Sequence, residues 1–407
     1  SQRPATGERD SETESRRETM MISRSLAVLL FACVAIEATT IQTKMPLLPT
    51  GHAAFICPTK HPAISIARAE QRRRIQAGLA TGAGPGGAMP FLMQSVAVND
   101  GSVEVKRTFM PSKAGEGEGE EEEPITETYS IFTRVFRPMS MSSRQAAPIV
   151  VLHGGPSVPS DYLYPLVDFV PYRCMVFYDQ VGCGRSSQPK DVNAFSIEAA
   201  IDDLEAVIKK LGLRRFHLYG QSYGGILAFE YLKREAERKG RDGGSADDGD
   251  EGCLSVIFSS TPTSVALVEA SAEALLNKLK DDDDDEETLG DRFRLAHQCR
   301  LEPMPQPLVD AYAHAGTVWR GTAAIPKYEA EPPSESASRM PSAMVMRGEY
   351  DFVDDACVEG WKSCFNHKFV REKMLEGCAH HALLENGRLY GQKLNDFFSE
   401  YDLKHQA

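Results

Sequence analysis

Residues 216–232 read FHLYGQSYGGILAFEYL. An apolar run leads into Gly220, Ser222 follows, and Gly224 and Gly225 open an apolar-periodic helix expected from about Tyr223 to Lys233. The G-x-S-x-G spacing alone decides little. With 32 glycines in 407 residues, chance produces it in roughly one such chain in five or six. The setting decides more. A strand that turns at once into a helix holds its serine in a strained backbone conformation, and glycines on either side remove the Cβ atoms that would clash. Such a hydroxyl is presented at the carboxyl end of a sheet, where open α/β sheets bind ligands.

The flanking sequence supplies that sheet. APIVVLHGG (147–155), CMVFYDQ (174–180), LSVIFSS (254–260) and SAMVMRGE (342–349) are nearly unbroken apolar runs, as in strands buried on both faces. SVAVNDGSVEV (95–105) and YSIFTRVFRP (129–138) alternate as strands, and HKFVREKMLEG (367–377) alternates as an edge strand. SIEAAIDDLEAVIKKLGL (196–213) is a helix with Ile197, Ile201, Leu204, Val207, Ile208 and Leu211 on one face, Ser196 capping its start and Gly212 ending it. The last helix is expected at about Arg388–Tyr401. Strand alternating with helix gives an α/β class with a mostly parallel sheet covered on both faces.

Residues 263–340 lie between two sheet strands and carry helical patches and prolines but no strand run, as an inserted helical lid would. The expected division is therefore a targeting segment at 1–88, a first part of the core at 89–262, the lid at 263–340 and a second part of the core at 341–407. Met20, Met21 and Arg24 precede an apolar stretch from Leu26 to Ile36, which suits a signal-peptide core and is too short to span a bilayer. Residues 1–19 then read as an extension upstream of the start. The acid-poor basic tract 41–88 and the AAF at 53–55 fit a plastid address behind secretory membranes, with plain secretion or a cytosolic location as alternatives.

A net charge of −13 argues against nucleic acid as a partner. GEGEGEEEEP (115–124), DDDDDEE (281–287) and the Gly/Asp-rich RKGRDGGSADDGDEG (238–252) read as solvated loops and not as metal sites. None of the nine cysteines forms a C-x-x-C pair, so most read as buried free thiols. No cofactor or metal is called for, and no segment is long and apolar enough for a membrane span in the mature protein.

A serine needs a base, and the base an orienting acid. On this scaffold they follow in the order Ser, acid, His. Asp351 stands just past one buried strand, with Glu349, Asp354 and Asp355 as competitors. His380 stands just past the edge strand, with His381 beside it. Backbone N–H groups of Gly154 or Gly155 in LHGGPS (152–157), together with Tyr223, can bind the oxyanion. His217 reads as a core residue and His153 as a loop shaper, while His297 and His314 have no charge partner.

LHGGPS, FYDQVGCGRSSQP (177–189), GQSYGG, GEYD and GCAH occur in the order seen in proline iminopeptidases. Over roughly residues 147–402 the chain resembles that family of the α/β-hydrolase fold, in its tricorn-interacting aminopeptidase and amino-acid amidase branch. HQCRLEPMPQPLVDAY (297–312) is similar to that branch's lid helices. The resemblance implies a serine exopeptidase that removes an N-terminal residue, often proline, from short peptides or amino-acid amides. It implies Ser222 as nucleophile, Asp351 as acid, His380 as base, and Gly155 and Tyr223 as the oxyanion hole. Asp179, Gly182, Gly184 and Ser186 would border the site. Two departures stand out. Ser157 replaces the last glycine of HGGPG, and the Glu-Phe-x-x-Thr-Gly stretch whose glutamate binds the substrate ammonium is missing, with Glu329 and Glu331 the nearby acids. An amidase or carboxylesterase on the same triad is the alternative, and a non-catalytic binder of small molecules the second.

Overall fold

The computed structural model describes residues 96–112, 123–139, 146–241, 252–280, 286–365 and 370–404. The expected targeting segment lies outside them, as does most of the three polar runs at 115–124, 238–252 and 281–287.

Eight strands form one sheet in the order β1-β2-β4-β3-β5-β6-β7-β8. β1 (Val96–Phe109) and β2 (Ile125–Pro138) make a long antiparallel hairpin, and β2 joins β4 (Met175–Tyr178) antiparallel. From there β4, β3 (Ile149–Leu152), β5 (Arg215–Gln221), β6 (Gly252–Ser259), β7 (Ser342–Gly348) and β8 (Val370–Leu375) are all parallel. The chain thus has the α/β-hydrolase architecture expected of it. β8 is an edge strand, with exposed side chains from Arg371 to Met374.

The apolar runs are buried because both faces are covered. Alternate side chains point to opposite sides of the pleat. Val150, Leu152, Phe216, Leu218, Val256 and Phe258 pack against α1 (Ile197–Lys210) and α2 (Tyr223–Arg241). Ile149, Val151, Tyr219, Ile257, Met344 and Met346 share the other face with residues of the C-terminal helix, such as Leu394 and Phe398. The Ser196 hydroxyl accepts the Ala199 N–H at the start of α1. α2 runs on to Arg241, past the expected end at Lys233. Its last turns lack apolar periodicity, but Ala, Glu, Arg and Lys are strong helix formers, and Arg238 pairs with Glu235 one turn back.

Between β6 and β7 come α3 (Val265–Leu279), α4 (Glu286–Phe293), a wider helical turn at Arg294–Gln298 and α5 (Gln306–Ala313), with no strand among the described residues. After β8 the chain ends in α6 (Gly387–Lys404).

At the amino ends of the parallel strands, Asp402 of α6 gathers the sheet. Its Oδ1 accepts the Ala147 N–H at 2.9 Å and lies 3.1 Å from His217 Nε2, while Oδ2 accepts from Arg173 at 2.6 Å. The Ser255 hydroxyl is 2.8 Å from His217 Nδ1. His217 is therefore the core residue it was expected to be. Burial alone would raise the Asp402 pKa, but hydrogen bonds from His217 and Arg173 outweigh it and hold the carboxyl at about 2. Removing one partner of such a buried group strands the others. Asp402→Ala is expected to cost about 3 kcal/mol or more of unfolding free energy, measured by denaturant titration. Because the folded pKa is depressed, the stabilisation is present above the ordinary carboxylate range and is lost as pH falls towards about 2. Asp402→Asn should lack that part of the acid dependence.

Candidate active site

Ser222 follows β5 directly and precedes α2, with φ +53°. Its N–H donates to the Ser259 carbonyl of β6 at 2.8 Å, and its own carbonyl accepts the Gly225 N–H at 2.9 Å. The glycines are required by crowding. A Cβ on Gly220 would strike the backbone of Gly224 and Gly225, one on Gly224 the Leu152 carbonyl, and one on Gly225 the Thr261 side chain, all well inside van der Waals contact.

Asp351 stands in the turn after β7, 4% exposed. Its Oδ1 accepts the Val353 N–H at 2.9 Å and lies 2.8 Å from His380 Nδ1. The competing acids are spent elsewhere: Glu349 on the Gly377 N–H, Asp354 on Cys357 N–H and the Ser271 hydroxyl, and Asp355 on Arg347. His380 stacks on Phe352 with ring centroids 4.3 Å apart. Its N–H donates to the His297 carbonyl, the next N–H donates to the Gln298 carbonyl, and its own carbonyl accepts from Ser260. The helical turn between β6 and β7 thus helps to hold this loop.

Ser222 and His380 line one cavity of about 90 Å³ together with Gly155, Tyr223 and mostly apolar side chains. No hydrogen bond joins the two side chains here. Sites without substrate commonly show such slack, which closes when substrate binds.

Gly154 and Gly155 now separate. The Gly154 N–H donates to the Tyr162 hydroxyl at 2.8 Å, and a Cβ at Gly154 would crowd Gln221 and Ser222. Gly154 is a spacer, and the expectation of it as an oxyanion donor is corrected: its N–H is already used. Gly155, at φ +118°, lines the cavity with Tyr223, the first residue of α2, whose N–H has no partner within the helix. Ser157, where a glycine was expected, adopts φ +74° and anchors its hydroxyl on the Trp319 carbonyl at 2.5 Å.

The remaining candidates have structural roles. Burial pushes the His153 pKa down, and its Nε2 accepts the Gln180 N–H at 2.9 Å. Asp179 takes the Ser160 hydroxyl and the Arg185 side chain, and the Ser186 hydroxyl bonds to the Asp179 carbonyl. The Gly184 N–H donates to the His314 carbonyl. None of Asp179, Gly182, Gly184 and Ser186 lines the cavity. His297 and His314 are hydrogen-bonded to backbone carbonyls, of Tyr350 and Asp310. Glu329 and Glu331 are exposed and outside the lining. Sequence reasoning passed over Tyr162, whose reach to Gly154 and Gln221 carries no motif.

The sheet, the turn at Ser222 and the facing acid–imidazole pair define the α/β-hydrolase class, and a family model described as the alpha/beta hydrolase fold matches residues 147–312. Within that class the chain is similar to proline iminopeptidases over part of their length. It is 35% identical over 182 residues to the proline iminopeptidase of Saccharolobus solfataricus, covering 41% of this chain and 55% of that protein. It is 35% identical over 162 residues to that of Lactobacillus delbrueckii subsp. bulgaricus, covering 38% and 50%. The chain thus spans about half the length of the curated relatives it matches. A solved proline iminopeptidase from Mycobacterium smegmatis shares the fold at TM-score 0.55 and 21% identity, over 74% of this chain and 99% of that one. Among the described residues no helix is long and apolar enough to cross a membrane, and no group of metal-ligating side chains gathers.

Tyr162→Phe would leave the Gly154 N–H buried and unpaired. It is expected to cost about 1–3 kcal/mol, measured by chemical denaturation.

Proposed function

We propose that the chain is a serine aminopeptidase that releases N-terminal residues, preferentially proline, from short peptides through an acyl-enzyme on Ser222. The observation that carries this reading is the 2.8 Å contact of His380 Nδ1 with the buried Asp351 carboxylate, on the rim of the cavity that Ser222 enters. Asp351 fixes the imidazole orientation, so Nε2 is the nitrogen left to take the serine proton. Ser222 Oγ then attacks the substrate carbonyl, and the oxyanion is met by the N–H groups of Gly155 and Tyr223. His380 returns the proton to the leaving amine, and water hydrolyses the ester by the same route. The segment 263–340 acts as a lid, since Val265, Val268, Gly321, Thr322 and Ile325 form one wall of the cavity. The relatives named proline iminopeptidase support the choice of substrate.

One observation favours an amidase or carboxylesterase as the second reading. Among the described residues the cavity lining carries no carboxylate to pair with a substrate ammonium.

The test treats the full chain with a fluorophosphonate probe and assays prolyl-, alanyl- and leucyl-arylamides beside short acyl esters. Labelling that disappears in Ser222→Ala, with arylamine released from the prolyl substrate, supports the aminopeptidase. Ester turnover alone supports the second reading, and no labelling removes both. Asp351→Asn is expected to lower kcat by a factor on the order of 10⁴ while leaving the fold intact by circular dichroism.

A further inference from the structure

The polar groups of the cavity gather beside the turn at Ser222. The Tyr162 hydroxyl accepts the Gly154 N–H and lies 2.6 Å from Gln221 Oε1. A backbone N–H can only donate, so the one phenolic proton is free to go to Gln221 Oε1. That choice sets the carboxamide orientation and leaves Nε2 as its other end. Gln221 is 4% exposed and lines the cavity, yet its Nε2 is buried without a hydrogen-bond partner. A buried donor without an acceptor is costly, and a ligand atom that completes it is favoured in proportion.

His381 closes the same corner. Its ring meets Tyr162 edge-on at 5.4 Å between centroids, its Nε2 is 3.3 Å from the Tyr312 hydroxyl, and it lines the same cavity. The titratable groups around it are His380 on its own loop, the Tyr162 and Tyr312 phenols, and Glu385, whose carboxylate takes the Arg300 and Ala379 N–H groups. Burial first, and then the neighbouring His380, keep the His381 imidazole well below its ordinary pKa and hence neutral. Most of the remaining lining is aliphatic, with Val158, Ile226, Val265 and Ile325 among it.

We propose that Gln221, with His381 across the corner, is the specificity-determining residue for the α-nitrogen of the acyl group, and that the site takes this nitrogen as an uncharged amine. An ammonium has donors only. It has no lone pair for Gln221 Nε2–H, and its charge is expensive in an apolar cavity. A neutral secondary amine offers a lone pair to Nε2–H and one N–H to the neutral imidazole. The proposal rests on the acyl-transfer reading above and names its substrate form.

The test compares L-prolyl and cyclopentanecarbonyl phenyl esters, which differ by one NH in place of CH₂, on the full chain across the pH range that titrates the prolyl amine. The prolyl kcat/KM is expected to rise relative to the carbocycle as the amine loses its proton. Gln221→Leu is expected to lower the prolyl-to-carbocycle ratio by roughly tenfold, chiefly through KM. Gln221→Glu keeps the chain length and an oxygen for Tyr162, and should move the prolyl optimum to lower pH, where the amine is charged. An unchanged ratio in Gln221→Leu, or a wild-type prolyl rate that falls as the amine deprotonates, overturns the proposal. Fluorophosphonate labelling of Ser222 in that case leaves the acyl-transfer reading standing. Absence of both labelling and turnover in the wild-type chain overturns the two together. Thermal unfolding identifies any variant that fails to fold, and the wild-type pH comparison then decides alone.

Discussion

One backbone turn organises the molecule. Ser222 sits at φ +53°, a conformation that non-glycine residues adopt at a cost. It persists because the surroundings over-determine it. β5 lies between β3 and β6, Ser222 itself is hydrogen-bonded to Ser259 of β6, and α2 starts at the next residue. The close approach of α2 to the Leu152 carbonyl and to Thr261 leaves no room for a Cβ at 224 or 225. The hydroxyl is thereby held by the central strands and not by a mobile loop.

The other two groups depend on the same parallel topology. Strands that run one way deliver their following loops to one rim, so Asp351 after β7 and His380 after β8 arrive beside Ser222. The two loops are also tied to each other, through the Tyr350 N–H on the Cys378 carbonyl. Residues His297 and Gln298 add their carbonyls to the histidine loop. The segment between β6 and β7 therefore does two jobs at once. It walls the cavity, and it holds the backbone that carries His380. A change there can alter the cavity wall and the position of His380 together.

What the sequence made legible follows from this. Ser222, Asp351 and His380 could be picked out as candidates because each follows a strand on one rim: the first two come after buried apolar runs that break visibly, and His380 comes after the alternating edge strand β8. The choice between Gly154 and Gly155 could not be read. It turns on where one N–H points, and the Gly154 N–H points to Tyr162, which lies in a short helical turn and shares no spacing rule with either glycine. Gln221 was hidden for a similar reason, as the variable position inside G-x-S-x-G. The end of α2 was placed too early because periodicity fades where a helix leaves the core, while its intrinsic propensity does not.

Two buried carboxylates at opposite ends of the sheet show how structure and chemistry are divided. Both Asp402 oxygens are engaged, by Arg173, His217 and the Ala147 N–H, so its charge is satisfied in the resting state. Asp351 directs one oxygen to His380 and to the Val353 N–H, while its other oxygen is buried with no partner. Such a group keeps electrostatic capacity in reserve. In the proposed reaction the imidazole that takes the serine proton becomes a cation beside a carboxylate that is not yet fully neutralised by neighbours. In a water-poor setting that attraction is stronger than it would be in solvent, and it grows only as the proton moves. An acid saturated like Asp402 would stabilise the ground state as much as the charged state and contribute less to the reaction. The incomplete bonding of Asp351 thus suits the role proposed for it beside His380, just as complete bonding suits Asp402 to hold α6 on the sheet.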